Sequence, residues 1–307
     1  MNLQQLRIVR EAVQQNFNLT EVAAALFTSQ SGVSKHIKDL EDELGVELFQ
    51  RRGKRLLGLT EPGKELAVVV DRMLQDVRNI KRLAQQFSSA DQGQLTIATT
   101  HTQARYALPQ VVARFKAAYP RVHLVLHQGS PSEIVSLLQS GEADIGIATE
   151  ALGKDDAFVT FPFYEWRHAV VVPEGHALTR QPLTLEALAE QPLITYHEGY
   201  TGRARIDASF AAAGLAPDLV MSALEADVIK TYVQIGLGVG VIAAMAFEPA
   251  RDAGLQLIDA AHLFPPNTTR IALKRGHYLR GFAYRFLQEC VAELTEEAVR
   301  EAMDPDA

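Results

Sequence analysis

Two groups of residues in this chain have the types and spacing for chemistry, and neither is a catalytic set. In the first, Ser29, Gln30, Ser31, Ser34, Lys35, His36 and Lys38 offer amide, hydroxyl and cationic donors. They lie within about three helical turns, and such side chains can read base edges in a groove. Nearby, Arg51, Arg52, Lys54 and Arg55 place four cations in five positions, which suits phosphate contacts that set register and make affinity salt-dependent. The second group is uncharged: Thr100, Thr102, Gln103, Thr149 and Thr201. Where a strand ends and a helix begins, hydroxyl and amide donors add to unpaired backbone N–H groups, and an anion can be held without a cation. Taken singly, each threonine is equally well an ordinary helix cap or strand-end hydrogen bond.

The elements that must position the first group are helical. Leu19–Leu26 reads as a short helix capped by Thr20, Phe27–Ser29 as a turn, and Gln30–Leu44 as a second helix with Val33, Ile37, Leu40 and Leu44 on one stripe, ended by Gly45. That is the pattern of a helix-turn-helix, whose second helix enters the major groove. Val46–Phe49 and Leu56–Leu59 read as two strands with the cations at the tip between them. Thr60, as N-cap, starts a longer helix in which Leu66, Val70, Met73, Val77, Ile80, Ala84 and Phe87 recur at heptad spacing. This seam pairs with a second copy or packs on its own domain. The polar run Ser88–Gly93 reads as a linker.

From Leu95 onward strands and helical patterns alternate. Strands are expected at Gln94–Thr99, Val122–His127, Asp144–Thr149, His168–Val172, Leu193–Tyr196, Leu219–Ala223, Val239–Ile242 and Thr269–Leu273. The alternation predicts largely parallel sheets, in one body or two lobes, with ligand sites at strand ends. Gly236, Gly238 and Gly240 follow a helix and precede a strand, the wrong context for a dinucleotide loop, and read as a tight connection.

Composition narrows the classes. With 307 residues, 47% hydrophobic and 22% charged, the chain is globular and long enough for about two domains. Arg7, Arg10 and Glu11 interrupt the first apolar stretch, and no apolar run approaches a membrane span of about 20 residues. A cytoplasmic protein is expected. The single cysteine, Cys290, excludes a disulfide framework within the chain and reads as helical packing; the nine histidines show no metal spacing. No metal and no cofactor are expected. Residues 1–90 hold 13 Lys and Arg against 11 Asp and Glu, whereas the remainder holds 17 against 26. Any polyanion is therefore met by the N-terminal part.

The N-terminal residues resemble the LysR-type transcriptional regulators. The resemblance rests on Leu3–Leu6, the run Thr28–Gly45, Leu48–Phe49, Arg51–Arg52 and Leu59–Gly63, with Ser31 and His36 departing from the proline and glutamine common in the family. Further on, Thr99–Pro109, His127–Pro131, Ala148–Leu152, Thr201–Arg203 and Asp227–Val233 look like the CysB/Cbl branch, regulators of cysteine biosynthesis and sulfur assimilation. The resemblance implies an α/β fold: a winged helix-turn-helix over residues 1–60, a linker and dimerisation helix over 61–88, and a two-lobed effector-binding domain of the periplasmic-binding-protein type over 89–307. Lobe I would take about 93–162 and 268–295, and lobe II about 163–267. It also implies promoter DNA and RNA polymerase as partners, a tetramer built as a dimer of dimers, and a small anionic effector such as sulfate, O-acetylserine or N-acetylserine. Trp166 is placed near that ligand by the resemblance, and Tyr164 either lines the crevice or packs. A regulator of sulfonate or sulfate-ester use sensing adenylyl sulfate is the nearest alternative; a plain anion-binding protein would leave residues 1–90 unexplained. An enzyme of sulfur metabolism finds no nucleophile–base pair or cofactor loop.

Overall fold

Asn2 opens the first helix, α1 (Leu3–Gln14), through a capping box with Gln5. The short α2 (Leu19–Ala25) follows, capped by Asn18, whose side chain accepts from the Thr20 N–H. The expected cap at Thr20 is thus corrected by two positions, since the asparagine is an equally good cap and comes first. Helix α3 (Gln30–Leu44) starts on Ser29, whose Oγ accepts from Gly32 N at 3.1 Å, and ends on Gly45 in the left-handed conformation. Val33, Ile37 and Leu40 are buried against Leu6, Ile8, Val9 and Val22. The structure, a computed structural model, describes residues 1–53, 55–88 and 90–304. The chain divides into two units, Met1–Ala84 and Gln85–Ala307.

The wing consists of β1 (Phe49–Arg52) and β2 (Arg55–Leu59), paired antiparallel. The first strand was expected to end at Phe49; it begins there, and Arg51 and Arg52 lie within it. Lys54 lies outside the described residues. Glu41 of α3 explains the shift: its buried carboxylate accepts the N–H groups of Leu48 and Phe49 at 2.8 and 3.2 Å and pairs with Arg51. Helix α4 (Glu61–Ser88) starts on Thr60, whose Oγ1 donates to Glu47 O and accepts from Gly63 N. A Cβ on Gly63 would stand 2.0 Å from Leu48 O, so only glycine lets the helix start this close to the wing. Its apolar row divides. Leu66 and Val70, with Leu74, belong to the core of their own unit, whereas Met73, Ile80, Ala84 and Phe87 are exposed and Val77 is half-buried.

The second unit has two five-stranded sheets. Its lobe I contains β3 (Gly93–Thr99), α5 (Pro109–Ala118), β4 (Val122–Gln128), α6 (Pro131–Ser140), β5 (Ile145–Ala148) and β6 (Phe158–Trp166). Lobe II continues with β7 (His168–Pro173), α7 (Leu185–Ala189), β8 (Leu193–Tyr196), α8 (Arg203–Ala212), β9 (Leu219–Ala223), α9 (Ala226–Gln234), β10 (Val239–Ala243) and β11 (Leu255–Asp259). The chain then returns to lobe I as β12 (Asn267–Lys274), α10 (Gly281–Cys290) and α11 (Glu296–Met303). Strand orders are β4-β3-β5-β12-β6 and β11-β7-β10-β8-β9.

These sheets are mixed, which corrects the expectation of largely parallel ones. Pairs β3/β4, β3/β5, β8/β9 and β8/β10 are parallel, but β12 and β7 run antiparallel to both neighbours. Strands β6 and β11 were not expected. Phe158–Trp166 contains Pro162 and Glu165, and Leu255–Asp259 is an edge strand interrupted by Gln256 and ended by Asp259, so neither shows a continuous β-branched run. A Cβ on Gly238 would stand 2.3 Å from Pro192 O, consistent with a tight connection into β10. Cys290 ends α10, packs on the lobe I core, and has its thiol pushed upward by burial.

Candidate functional site

In the first unit, the end of α3 that follows Ser29 carries the candidate reading residues. Ser29, Gln30, Ser31, Lys35 and Lys38 are exposed, while Ser34 and His36 are half-buried beside the Val33/Ile37 stripe. Ser31 Oγ lies 3.1 Å from Ser29 Oγ, so the serine joins the helix cap. Arg51, Arg52 and Arg55 are exposed on the wing, but their roles separate. Arg51 is committed to Glu41 and fixes the wing on the reading helix; Arg52 sits one residue nearer the tip. The turn between α2 and α3 adds a residue not anticipated: Phe27, 98% exposed with φ 51°. An aromatic ring held outward there suits apolar contact with a thymine methyl or sugar.

In the second unit, a cavity of about 260 Å³ opens between the lobes. Thr100 and Thr102, after β3, line one wall, and Tyr200 and Thr201, ahead of α8, line the other. All three threonines are at least nine-tenths buried. A π-helical turn, Gln103–Ala107, follows Thr102, and a regular helix resumes only at Pro109. The helix expected where β3 ends therefore begins there as a π-helical turn, a form that recurs at functional sites.

Gln103, Thr149 and Trp166 lie behind the wall instead of lining it. Tyr164 donates to Gln103 Oε1, and Thr269 Oγ1 accepts from Trp166 Nε1 at 3.1 Å and lies 3.3 Å from Thr149 Oγ1. Burial pushes the Tyr164 phenol up to about 12, so it serves this network as a neutral donor. His168 donates through Nε2 to Thr201 O at 3.1 Å; burial pulls its pKa down to about 4, which keeps the ring neutral.

His101, Gln128, Gly129, Ser130, Glu133, Leu224 and Glu225 complete the lining. None is Lys or Arg. Glu133 is drawn off by the Ser130 N–H, which lowers its pKa, and by the cap of α6. Glu225 reaches across to His101 Nδ1 at 3.3 Å. Farther along, Asp227 of α9 accepts from Tyr106 OH at 2.9 Å and pairs with Arg105 at 2.8 Å, tying the lobes together. Burial opposes the charge on Asp227, but bonds from Tyr106 and Lys230 hold its pKa below the usual range. One signal could have located Gln128 and Ser130: Gln128 ends β4, the parallel neighbour of β3, and Ser130 follows it, so the two strand ends must share one rim.

Residues 3–64 match the bacterial regulatory helix-turn-helix protein, lysR family, and residues 88–295 the LysR substrate binding domain. The chain belongs to the LysR family. It is 57% identical to the HTH-type transcriptional regulator SsuR of Burkholderia cenocepacia, covering 97% of each chain. It is 52% identical to the HTH-type transcriptional regulator CysB of the same organism, over 100% of this chain and 98% of the relative. Among solved structures, the cofactor-binding domain of the Cbl transcriptional regulator covers 69% of this chain and 94% of that domain, at 51% identity and a TM-score of 0.67. This LysR-type protein is thus a transcriptional regulator of the CysB, Cbl and SsuR type, with a DNA-binding head and a small-molecule-binding domain. Among the described residues no helix is long and apolar enough to cross a membrane.

Proposed function

We propose that this regulator controls genes of sulfur assimilation and cysteine biosynthesis, acts from the cytoplasm, and responds to a small anion between its lobes. The observation that carries this reading is the convergence of Thr100, Thr102 and Thr201, three buried hydroxyl-bearing residues from both lobes, on one cavity lined by no lysine or arginine. Such a lining meets negative charge with dipoles. Gln103, Thr149 and Trp166 support the wall through Tyr164 and Thr269. The exposed part of the α4 row, Met73 to Phe87, pairs two subunits so that two reading helices address successive half-sites, and a dimer of such dimers gives the tetramer. RNA polymerase is the partner at the promoter, and the chain carries out no turnover. The domain limits follow: a head to residue 60, a linker helix to 88, and the effector domain beyond.

A thermal-shift panel of sulfate, thiosulfate, O-acetylserine, N-acetylserine and adenylyl sulfate tests the effector. A ligand at about 100 times its Kd should stabilise the protein by roughly 2.7 kcal/mol. No response to any of the five overturns the anion reading, and a response to adenylyl sulfate alone favours control of sulfonate or sulfate-ester use. Gel shifts with promoter DNA separate a regulator from a plain anion-binding protein.

A further inference from the structure

Glu150 stands where lobe I meets lobe II, and the anion site as described makes no use of it. It follows β5 and Thr149, and its Oε1 accepts the N–H of Gly202, which caps α8 and directly follows Thr201 of the cavity wall. Its Oε2 is buried and accepts no hydrogen bond among the described residues. Both backbones that deliver this contact are bent into a conformation L-residues avoid, with φ 71° at Ala151 and 43° at Thr201. Strain of this kind persists only where the surrounding structure enforces it, and it clusters at ligand clamps and switches. Gly202 between them is itself at φ 72° and leaves no room for a side chain, because a Cβ there would stand 2.5 Å from Asn267 Oδ1 and 2.7 Å from His168 Cε1. A carboxylate on a backbone N–H beside the cavity makes the interaction that a bound anion would make.

We propose that Glu150 is an internal competitor for the effector: its carboxylate occupies the Gly202 amide and holds the lobes together without ligand, and an anion in the cleft has to displace it. This rests on the anion reading of the cleft. Burial already disfavours the charged form of Glu150 and raises its pKa, with the Gly202 N–H first among the backbone groups, and Arg205 of α8 after them, acting in the opposite direction. A second negative charge nearby adds like-charge repulsion. Glu150 then determines specificity, because a dianion is opposed more strongly than a monoanion.

The test uses the full chain and its Glu150→Gln variant, which keeps the size and an acceptor oxygen for Gly202 while removing the charge. Both are titrated with sodium sulfate and sodium thiosulfate at fixed ionic strength, followed by calorimetry and by the fluorescence of Trp166, the single tryptophan. Removing a like-charge interaction equivalent to about one pKa unit predicts about tenfold tighter sulfate binding by the variant. Wild-type binding with a variant that is weaker, or equal within about twofold, overturns the competitor and leaves the anion reading standing. Silence from both proteins overturns both. A variant that no longer folds overturns it as well, since a competitor is dispensable for folding.

Discussion

The hydroxyl of Thr102 sits on a residue only 1% exposed, at the wall of the cavity. Thr102→Val removes that hydroxyl while nearly preserving volume, and a lost hydrogen bond to a charged group costs about 1.5–3 kcal/mol. Calorimetric titration should show anion affinity lowered roughly 10- to 150-fold, with unliganded DNA binding retained. Parent-like affinity would place the anion elsewhere. His168 supplies a pH prediction. Its pKa is about 4 in the folded protein against 6.5 ordinarily, so the unfolded chain takes up a proton that the native ring refuses. The stability it contributes is present above pH 6.5 and is lost as pH falls toward 4. By pH 5 the loss is about 2 kcal/mol, at about 1.36 kcal/mol per pKa unit. Denaturant unfolding followed by Trp166 fluorescence should show that slope, and His168→Gln should flatten it.

At the level of elements, the reading helix and the wing are joined by Glu41 and Arg51. Arg52→Ala should weaken binding to all DNA sequences alike and reduce the salt slope by about 1, whereas Gln30→Ala should relax preference at particular bases. Gel shifts on operator and scrambled DNA at several salt concentrations decide this; an Arg52→Ala effect confined to sequence preference would refute the wing assignment. Helix α4 offers a separate test. Ile80 is 66% exposed in the single chain, so Ile80→Asp should leave the fold intact, bury an unpaired charge in a paired seam, and abolish both dimer and specific DNA binding. An unchanged mass by light scattering would count against the seam. The head's α2 and α3 were legible because their periodicity and Gly45 agree locally with the fold, even where the cap of α2 fell two residues early. The limits of the wing were not: a carboxylate from α3 sets them, and no neighbour in sequence reports it. Likewise β6 and β11 hold their places by pairing with β12 and β7, which can override a proline or interspersed polar residues. At the cleft, Thr100, Thr102 and Thr201 could be read from their types and places along the chain. His101 and Glu225 could not, because only the packing of one lobe on the other brings them together.

Across the whole molecule, the two lobes differ in how the chain closes them. Lobe II is one continuous stretch, whereas lobe I is interrupted and completed by β12, which lies between β5 and β6 in the middle of its sheet. During synthesis the ribosome therefore releases β5 about 120 residues before the strand that must pair with it. At roughly 5–20 residues per second the interval is about 6–24 s. Until it arrives, β5 presents an unpaired edge and β6 lacks its partner strand, the template on which chains join wrongly. The head and lobe II can fold as they emerge, but the half-built first lobe has to wait for its keystone. A nascent chain stalled before Asn267 should be a chaperone client, and the released full chain, which adds β12 and the α10 and α11 side of the lobe I core, should not.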